Sequence, residues 1–283
     1  MVFNLVSFMI IYESEIEEIT LKTLRDEAGY ALAYGPDLLE GPQPERDPDS
    51  VILKRELIAA IDRLNPHIPA AAREEALKQI QRARGFSLLD ENEAFHRLLT
   101  EGVDVKFNIG EGKSRTDKVW LVDFNDPSRN NFLAVNQFTV IENNCNKRPD
   151  IVLFINGLPL VVIELKNAAE EKADLPAAYR QLQTYHQQIP SLFRYNAIEI
   201  ISDGWSARVG TLTSDYARFM DWKSVDGTSI IDSKNQAELD TMVRGLLNKT
   251  RLLDMIRHFI VFEKAPERTY KKVAAYHQYF AVN

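Results

Sequence analysis

The sequence lacks the features that mark several large functional classes. It contains one cysteine, Cys145, so no intramolecular disulfide can form, and the chain fits a reducing cytoplasm. Its histidines (His67, His96, His186, His258 and His277) show neither H-E-x-x-H nor another paired spacing, which argues against a zinc site. There is no G-x-S-x-G nucleophile elbow. No apolar run approaches the roughly 20 residues that a membrane helix needs. The apolar opening, Met1 to Tyr12, has no Lys or Arg and runs into acids, so it reads as a buried edge strand or extended segment and not as a signal peptide. Basic charge is also scarce. The chain carries 34 Lys+Arg against 41 Asp+Glu, a net charge of −7, and residues 101–200 hold 11 basic and 13 acidic residues. Non-specific nucleic-acid affinity comes mostly from Lys and Arg neutralising phosphates, so a DNA-directed role would lean on other parts of a larger machine. Gly110-Glu111-Gly112-Lys113-Ser114 imitates the tail of a phosphate-binding loop, but the full motif needs glycine where Phe107 stands, and no helix follows. Lys113, Arg115 and Lys118 there make either a solvated turn or a basic loop touching DNA.

What is present is a well-supplied core, at 45% apolar residues, and one stretch around which the chain is organised. Arg148 to Asn167 reads RPDIVLFINGLPLVVIELKN. Two β-branched and aromatic runs flank Asn156-Gly157, a pair that tolerates positive φ and marks a tight hairpin. The second run has no polar alternation, as expected of a strand buried on both faces. Charges stand at the open end: Asp150 before the first strand, Glu164 and Lys166 at the end of the second, on one face. Opposed residues of an antiparallel pair keep a constant index sum, which is even for positions 150 and 164 and odd for a plain two-residue turn at Asn156-Gly157. Cooperation of the two carboxylates therefore requires an odd loop or a bulge in one strand. Two carboxylates and a lysine at a strand end suit a hard divalent cation such as Mg²⁺, with Mn²⁺ as its substitute. The same three residues are also what the solvated end of any buried strand in a charge-rich chain would show.

The following segment, LPAAYRQLQTYHQQ, is expected to be a helix over Leu175–Gln188, with Asp174 as N-cap and Pro190 beyond its end. Gln181 and Tyr185 are four apart and share a face. Upstream, Glu13–Glu27 reads as a helix with Ile16, Ile19 and Leu24 inward, and Glu15 and Glu18 together on another side. Pro36 to Pro48 reads as a loop; helices follow over 49–64, 70–84 and 90–100, then strands over 103–108, 118–124 and 132–141. Ala197–Ser202 and Ala207–Leu212 form a second hairpin, and 232–248, 251–262 and 268–282 return to helix.

An E-x-K strand followed by a Q-x-x-x-Y helix resembles the RecB-like branch of the PD-(D/E)xK nucleases. The longer segments NQFTVIENNCNKRPDIVLFINGLPLVVIELKN, QLQTYHQQIPSLFRYN and ISDGWSARVGTLTSDYARFMDWK, with RLNPHIP, FHRLLTEGVDV and VWLVDFNDPSRNNFLAVNQFTV upstream, are similar to the amino-terminal part of the restriction subunit of type I restriction–modification enzymes. The resemblance runs from about Glu13 to the end, in the family's order. It implies an α/β fold of restriction-endonuclease type, a central mixed β-sheet flanked by helices. It also implies an endonuclease domain over 1–260 (a helical part at about 13–100, a sheet core at about 103–223) and a helical linker over 261–283 toward motor domains. Asp150, Glu164 and the Leu165 carbonyl would hold Mg²⁺, Lys166 would handle the attacking water or transition-state charge, and Gln181 and Tyr185 would position DNA. Glu15 or Glu18 is the candidate for an extra acid from the first helix, and Gln278 for an adenine contact. The implied partners are double-stranded DNA and the methyltransferase and specificity subunits, with no membrane. ATP would serve only the full-length subunit. A RecB-like repair nuclease and a non-catalytic docking module are the alternatives the residues leave open.

Overall fold

A computed structural model describes residues 13–40, 44–82, 85–110, 112–166, 175–233 and 236–283. The expected segment Met1–Tyr12 and the expected cap Asp174 lie outside the described residues. The chain opens with α1 (Glu13–Asp26) and β1 (Ala31–Tyr34). After a single helical turn at Asp37–Glu40, within the stretch expected to be a loop, three longer helices follow: α2 (Lys54–Leu64), α3 (Ala70–Gln81) and α4 (Leu88–Glu101). The central strands are β2 (Phe132–Asn136), β3 (Ile151–Ile155) and β4 (Leu158–Leu165). Helix α5 (Leu175–Gln188) then leads into β5 (Ile198–Ser202), β6 (Ala207–Gly210) and β7 (Met220–Asp221). The last helices are α6 (Glu238–Arg244), α7 (Lys249–His258) and α8 (Tyr276–Val282).

Among the described residues, β1 to β7 form one mixed sheet whose spatial order is the chain order. β1 runs parallel to β2, and β4 parallel to β5, the latter pair joined through α5; the other neighbours are antiparallel. Helices pack on this sheet, as the resemblance implied. Every residue of β3, β4 and β5 is buried, which explains why their sequences lack polar alternation. No described helix is long and apolar enough to cross a membrane.

The hairpin turn forms where expected. Asn156 and Gly157 have φ of 52° and 79°, the signature of a turn with two left-handed residues. Asn156 is fully buried, and its side chain is saturated: Nδ2 donates to the Leu121 carbonyl and Asn130 Oδ1 (both 2.9 Å), while Oδ1 accepts from Asn131 N at 2.8 Å. Gly157 is pressed against α2, where its carbonyl accepts from Leu53 N at 3.0 Å. The strand register then shifts by one: Leu153 pairs with Val161, but Phe154 pairs with Pro159, leaving Leu160 as the extra residue of a bulge. This is the irregularity that cooperation between positions 150 and 164 requires.

Elsewhere the structure corrects the sequence reading. The strand expected at 118–124 is Lys113–Val119, paired with Val103–Gly110 in a separate two-stranded ribbon. Its tip is the Gly110–Lys113 imitation of a phosphate loop, with Gly110 and Gly112 at φ of 96° and 72°. The run 132–141 breaks at Gln137, whose φ is 54°. The helix expected at 268–282 is instead a strand, Thr269–Val273, paired with Ile260–Lys264 and followed by α8, so 261–283 is not a purely helical segment. Lys271 in this strand is buried, with Nζ donating to the Asn196 carbonyl at 2.6 Å.

A Cβ at position 157 would lie 2.4 Å from the Leu53 carbonyl oxygen and 2.9 Å from Leu57 N, on a backbone that L residues rarely adopt. Gly157→Ala is expected to destabilise the protein by at least about 2 kcal/mol. Equilibrium denaturation checks this, and an unchanged midpoint would contradict the tight seat on α2.

Candidate active site at the open end of the hairpin

The bulge at Leu160 sets the register of the outer half of the hairpin, where Ile151 pairs with Ile163. Continued by one residue, that register sets Asp150 against Glu164, and both line one cleft. A plain turn would have put them on opposite faces. Asp150 Oδ2 accepts from Leu165 N at 2.7 Å, a backbone donor supplied by the partner strand. Lys166 Nζ donates to Glu164 Oε1 at 2.9 Å and to the Leu165 carbonyl at 2.7 Å, and lies 3.6 Å from Glu13 Oε1. The ammonium therefore bridges a carboxylate and a backbone carbonyl. Glu164 Oε2 is buried with no hydrogen-bond partner.

Both carboxylates are nearly sealed from solvent, at 7% and 2% exposure for Asp150 and Glu164. Burial raises the pKa of Asp150 to about 7, against the opposing pull of the Leu165 N–H and the Lys166 charge. Burial, with the neighbouring Asp150 charge, raises that of Glu164 to about 8 even though Lys166 pairs with it. Burial works against the charge of Lys166, but Glu164, Asp150 and Glu13 outweigh it and raise the lysine's pKa. Desolvation thus dominates for the two acids, and neighbouring negative charge for the lysine.

Helix α5 brings Gln181 and Tyr185 to this point. Its buried stripe, Leu175, Ala178, Leu182 and Tyr185, lies against β4 and β5, and Gln181 sits one turn before Tyr185 on the same cleft. Burial and the charges of Glu164 and Asp150 raise the pKa of the Tyr185 phenol. Gln181, Tyr185, Asp150, Glu164 and Lys166 line one cleft of about 670 Å³.

Helix α1 supplies two acids, and they differ from those expected. Its buried stripe is Ile16, Thr20 and Leu24, while Ile19 is 58% exposed. That phase turns Glu13 and Glu17 into the cleft and leaves Glu15 and Glu18 exposed on other sides. Thr20 hid the phase: its hydroxyl donates to the Ile16 carbonyl at 2.7 Å, so a residue that looks polar is fit for burial. The cleft also holds Tyr34, Asn136, Gln137 and Arg148, none of which the spacing of charges had singled out. Gln278 is elsewhere. Its Oε1 accepts from Ala275 N at 2.9 Å, closing the first turn of its own helix, and it borders a separate cleft with Arg218 and Arg268.

Among the described residues no group of three or more His, Cys, Asp or Glu side chains is placed to hold a metal by itself. Any cation here would depend on two carboxylates, a backbone carbonyl, and water or substrate.

The chain matches the family model "Type I restriction enzyme R protein N terminus" over residues 10–218. It belongs to that family. It is 40% identical over 282 residues to the type I restriction enzyme HindI endonuclease subunit of Haemophilus influenzae, covering 96% of this chain and 26% of that protein. It is 30% identical over 288 residues to the putative type I restriction enzyme MjaIXP endonuclease subunit of Methanocaldococcus jannaschii, covering 94% of this chain and 27% of that protein. The chain thus spans about a quarter of the length of these restriction subunits.

The raised carboxyl pKa values make a stability prediction for the metal-free protein. Acids with raised folded-state pKa are protonated in the fold and ionised in the unfolded chain, so folding is favoured below about pH 4 and loses that advantage as pH rises toward 8. Glu164→Gln is expected to flatten the decline between pH 5 and pH 8.5, as measured by urea denaturation at a series of pH values. An unchanged slope would mean that Glu164 titrates normally.

Proposed function

We propose that this chain is the endonuclease part of a type I restriction subunit and hydrolyses DNA phosphodiesters with Mg²⁺, or Mn²⁺ in its place. The observation that carries this reading is the opposition of Asp150 and Glu164, buried side by side with one ammonium between the latter and the Leu165 carbonyl. The donors present fit a hard cation. Glu164 Oε2 is buried without a partner, Asp150 keeps an oxygen beyond its Leu165 N–H bond, and Lys166 Nζ already shows that a positive group is favoured against Glu164 Oε1 and the Leu165 carbonyl. Asp150, Glu164 and the Leu165 carbonyl would hold the ion. When bound, it supplies acidification of the attacking water and neutralisation of phosphoryl charge.

The chain's own groups do the rest. Lys166 Nζ, freed from the carbonyl that it now meets, orients the attacking water or donates to the phosphoryl oxygens as charge accumulates. Gln181 and Tyr185 hold the sugar–phosphate backbone against the carboxylate end of the sheet. Water attacks phosphorus and gives up a proton to solvent, the bond to the leaving oxygen breaks, and that oxygen takes up a proton from solvent. The low exposure of Asp150 and Glu164 strengthens each of these interactions relative to water.

The remaining steps of the restriction reaction are assigned, on this reading, to other parts of the machine. Target recognition and modification belong, on this reading, to specificity and methyltransferase subunits, and ATP-driven translocation to downstream domains of the restriction subunit. An acidic chain of net charge −7 fits that division, because affinity for double-stranded DNA is then supplied largely by its partners.

Asp150→Ala is expected to weaken Mn²⁺ binding to this chain at least about a hundredfold in calorimetric titration. In the full-length subunit within its complex, the same change is expected to abolish plasmid nicking. Unchanged binding and nicking would move the chemistry away from this cleft and favour a docking role for the strand-end charges.

A further inference from the structure

Beyond the carboxylates, Lys166 and the α5 pair, the cleft contains a strained residue with no assigned part. Gln137 follows β2 directly, at the point where the strand expected over 132–141 breaks, and its φ is 54°. Left-handed backbone is costly for a residue with a full side chain and persists only where surroundings impose it. Three contacts impose it here. The Gln137 N–H donates to the Asp150 carbonyl at 2.9 Å. Gln137 Nε2 donates to Glu17 Oε2. The neighbouring Asn136 Nδ2 donates to Glu17 Oε1 at 2.7 Å. On the other side, Gly35 N donates to the Asn136 carbonyl at 2.8 Å, and a Cβ at Gly35 would lie 2.3 Å from the Gln137 carbonyl oxygen. The bend is thus held by the backbone of Asp150, by the first helix and by the end of β1.

We propose that Gln137 is a positioning residue of the site, and that Glu17 serves as its hydrogen-bond acceptor and not as a third metal-holding acid. The proposal rests on the nuclease reading above. Both carboxylate oxygens of Glu17 are already taken by side-chain amides, whereas Glu164 Oε2 has no partner. Gln137 joins α1 to the main chain of Asp150, and so fixes how deep that carboxylate sits relative to Glu164. Its side chain acts through Asp150 and does not need to touch DNA.

Four variants separate the parts. Gln137→Gly keeps the left-handed backbone without strain and removes only the side chain. It is expected to lower kcat for nicking by the full-length complex about tenfold or more with KM for DNA unchanged, while the thermal midpoint stays close to wild type. Glu17→Gln retains hydrogen bonding, because side-chain amides can flip to complement it. It is expected to keep at least ten times more activity than Glu17→Ala and to leave Mn²⁺ affinity of this chain within about twofold of wild type. Wild-type kcat in Gln137→Gly would overturn the positioning role. Loss of Mn²⁺ binding in Glu17→Gln, equal to that in Glu17→Ala, would make Glu17 a metal-holding acid and overturn the assignment. Asp150→Ala, run alongside, tests the underlying reading: if it still binds Mn²⁺ and nicks DNA, that reading fails first and this one with it.

Discussion

The cleft is governed by the cost of keeping Asp150 and Glu164 side by side and out of water. In bulk solvent their repulsion would be weak and each would hold its own hydration shell. In the fold each loses most of that shell, and the cation hydrogen-bonded to Glu164, close to Glu13 of α1, is Lys166. Burial is the main reason that both acids hold protons more tightly than usual, and the Lys166 charge offsets it only in part. A site built in this way is electrostatically incomplete. The cation proposed above would relieve that cost.

The rest of the structure serves that arrangement. The fully buried β3 and β4 give the hairpin a rigid base, and Asn156 locks its turn to the loops beside α2. The parallel joint between β4 and β5 places α5 over the sheet, so that Gln181 and Tyr185 arrive from one side while Glu13 and Glu17 arrive from α1. The family relation and the geometry of the cleft are separate observations. The first concerns whole-chain similarity to restriction endonuclease subunits, and the second concerns a few atoms.

Much of this was legible in the sequence where residue type has a single physical use. Asn156-Gly157 has few structural readings, α5 was bounded by proline, and the demand for a bulge followed from counting alone. The position of the bulge was not legible, since nothing in GLPLVV distinguishes Leu160 from its neighbours until the strands are paired. The inward face of α1 was misread because Thr20 buries its hydroxyl on the helix's own backbone. The terminal hairpin was misread because Lys271 is buried. Gln137 and Asn136 went unnoticed for a different reason: amides carry no charge pattern, and their part emerges only when the ends of β1, β2 and β3 meet. At Thr20, Lys271, Asn136 and Gln137 tertiary packing gave a polar residue a use that local pattern assigns to apolar or charged ones.

The single extra residue in β4 also bears on how this region can vary. Substitutions within the buried strands change volume and are absorbed, or not, by neighbouring packing. A change of length is a different kind of event. Adding or removing one residue between the Asn156-Gly157 turn and Glu164 reverses parity for everything beyond it, carrying Glu164 and Lys166 through the sheet while Asp150 stays behind. The stretch therefore encodes its chemistry partly as a number, the six residues from Leu158 to Ile163 in β4 against the five of β3, and this count is information that an inventory of residue identities would overlook.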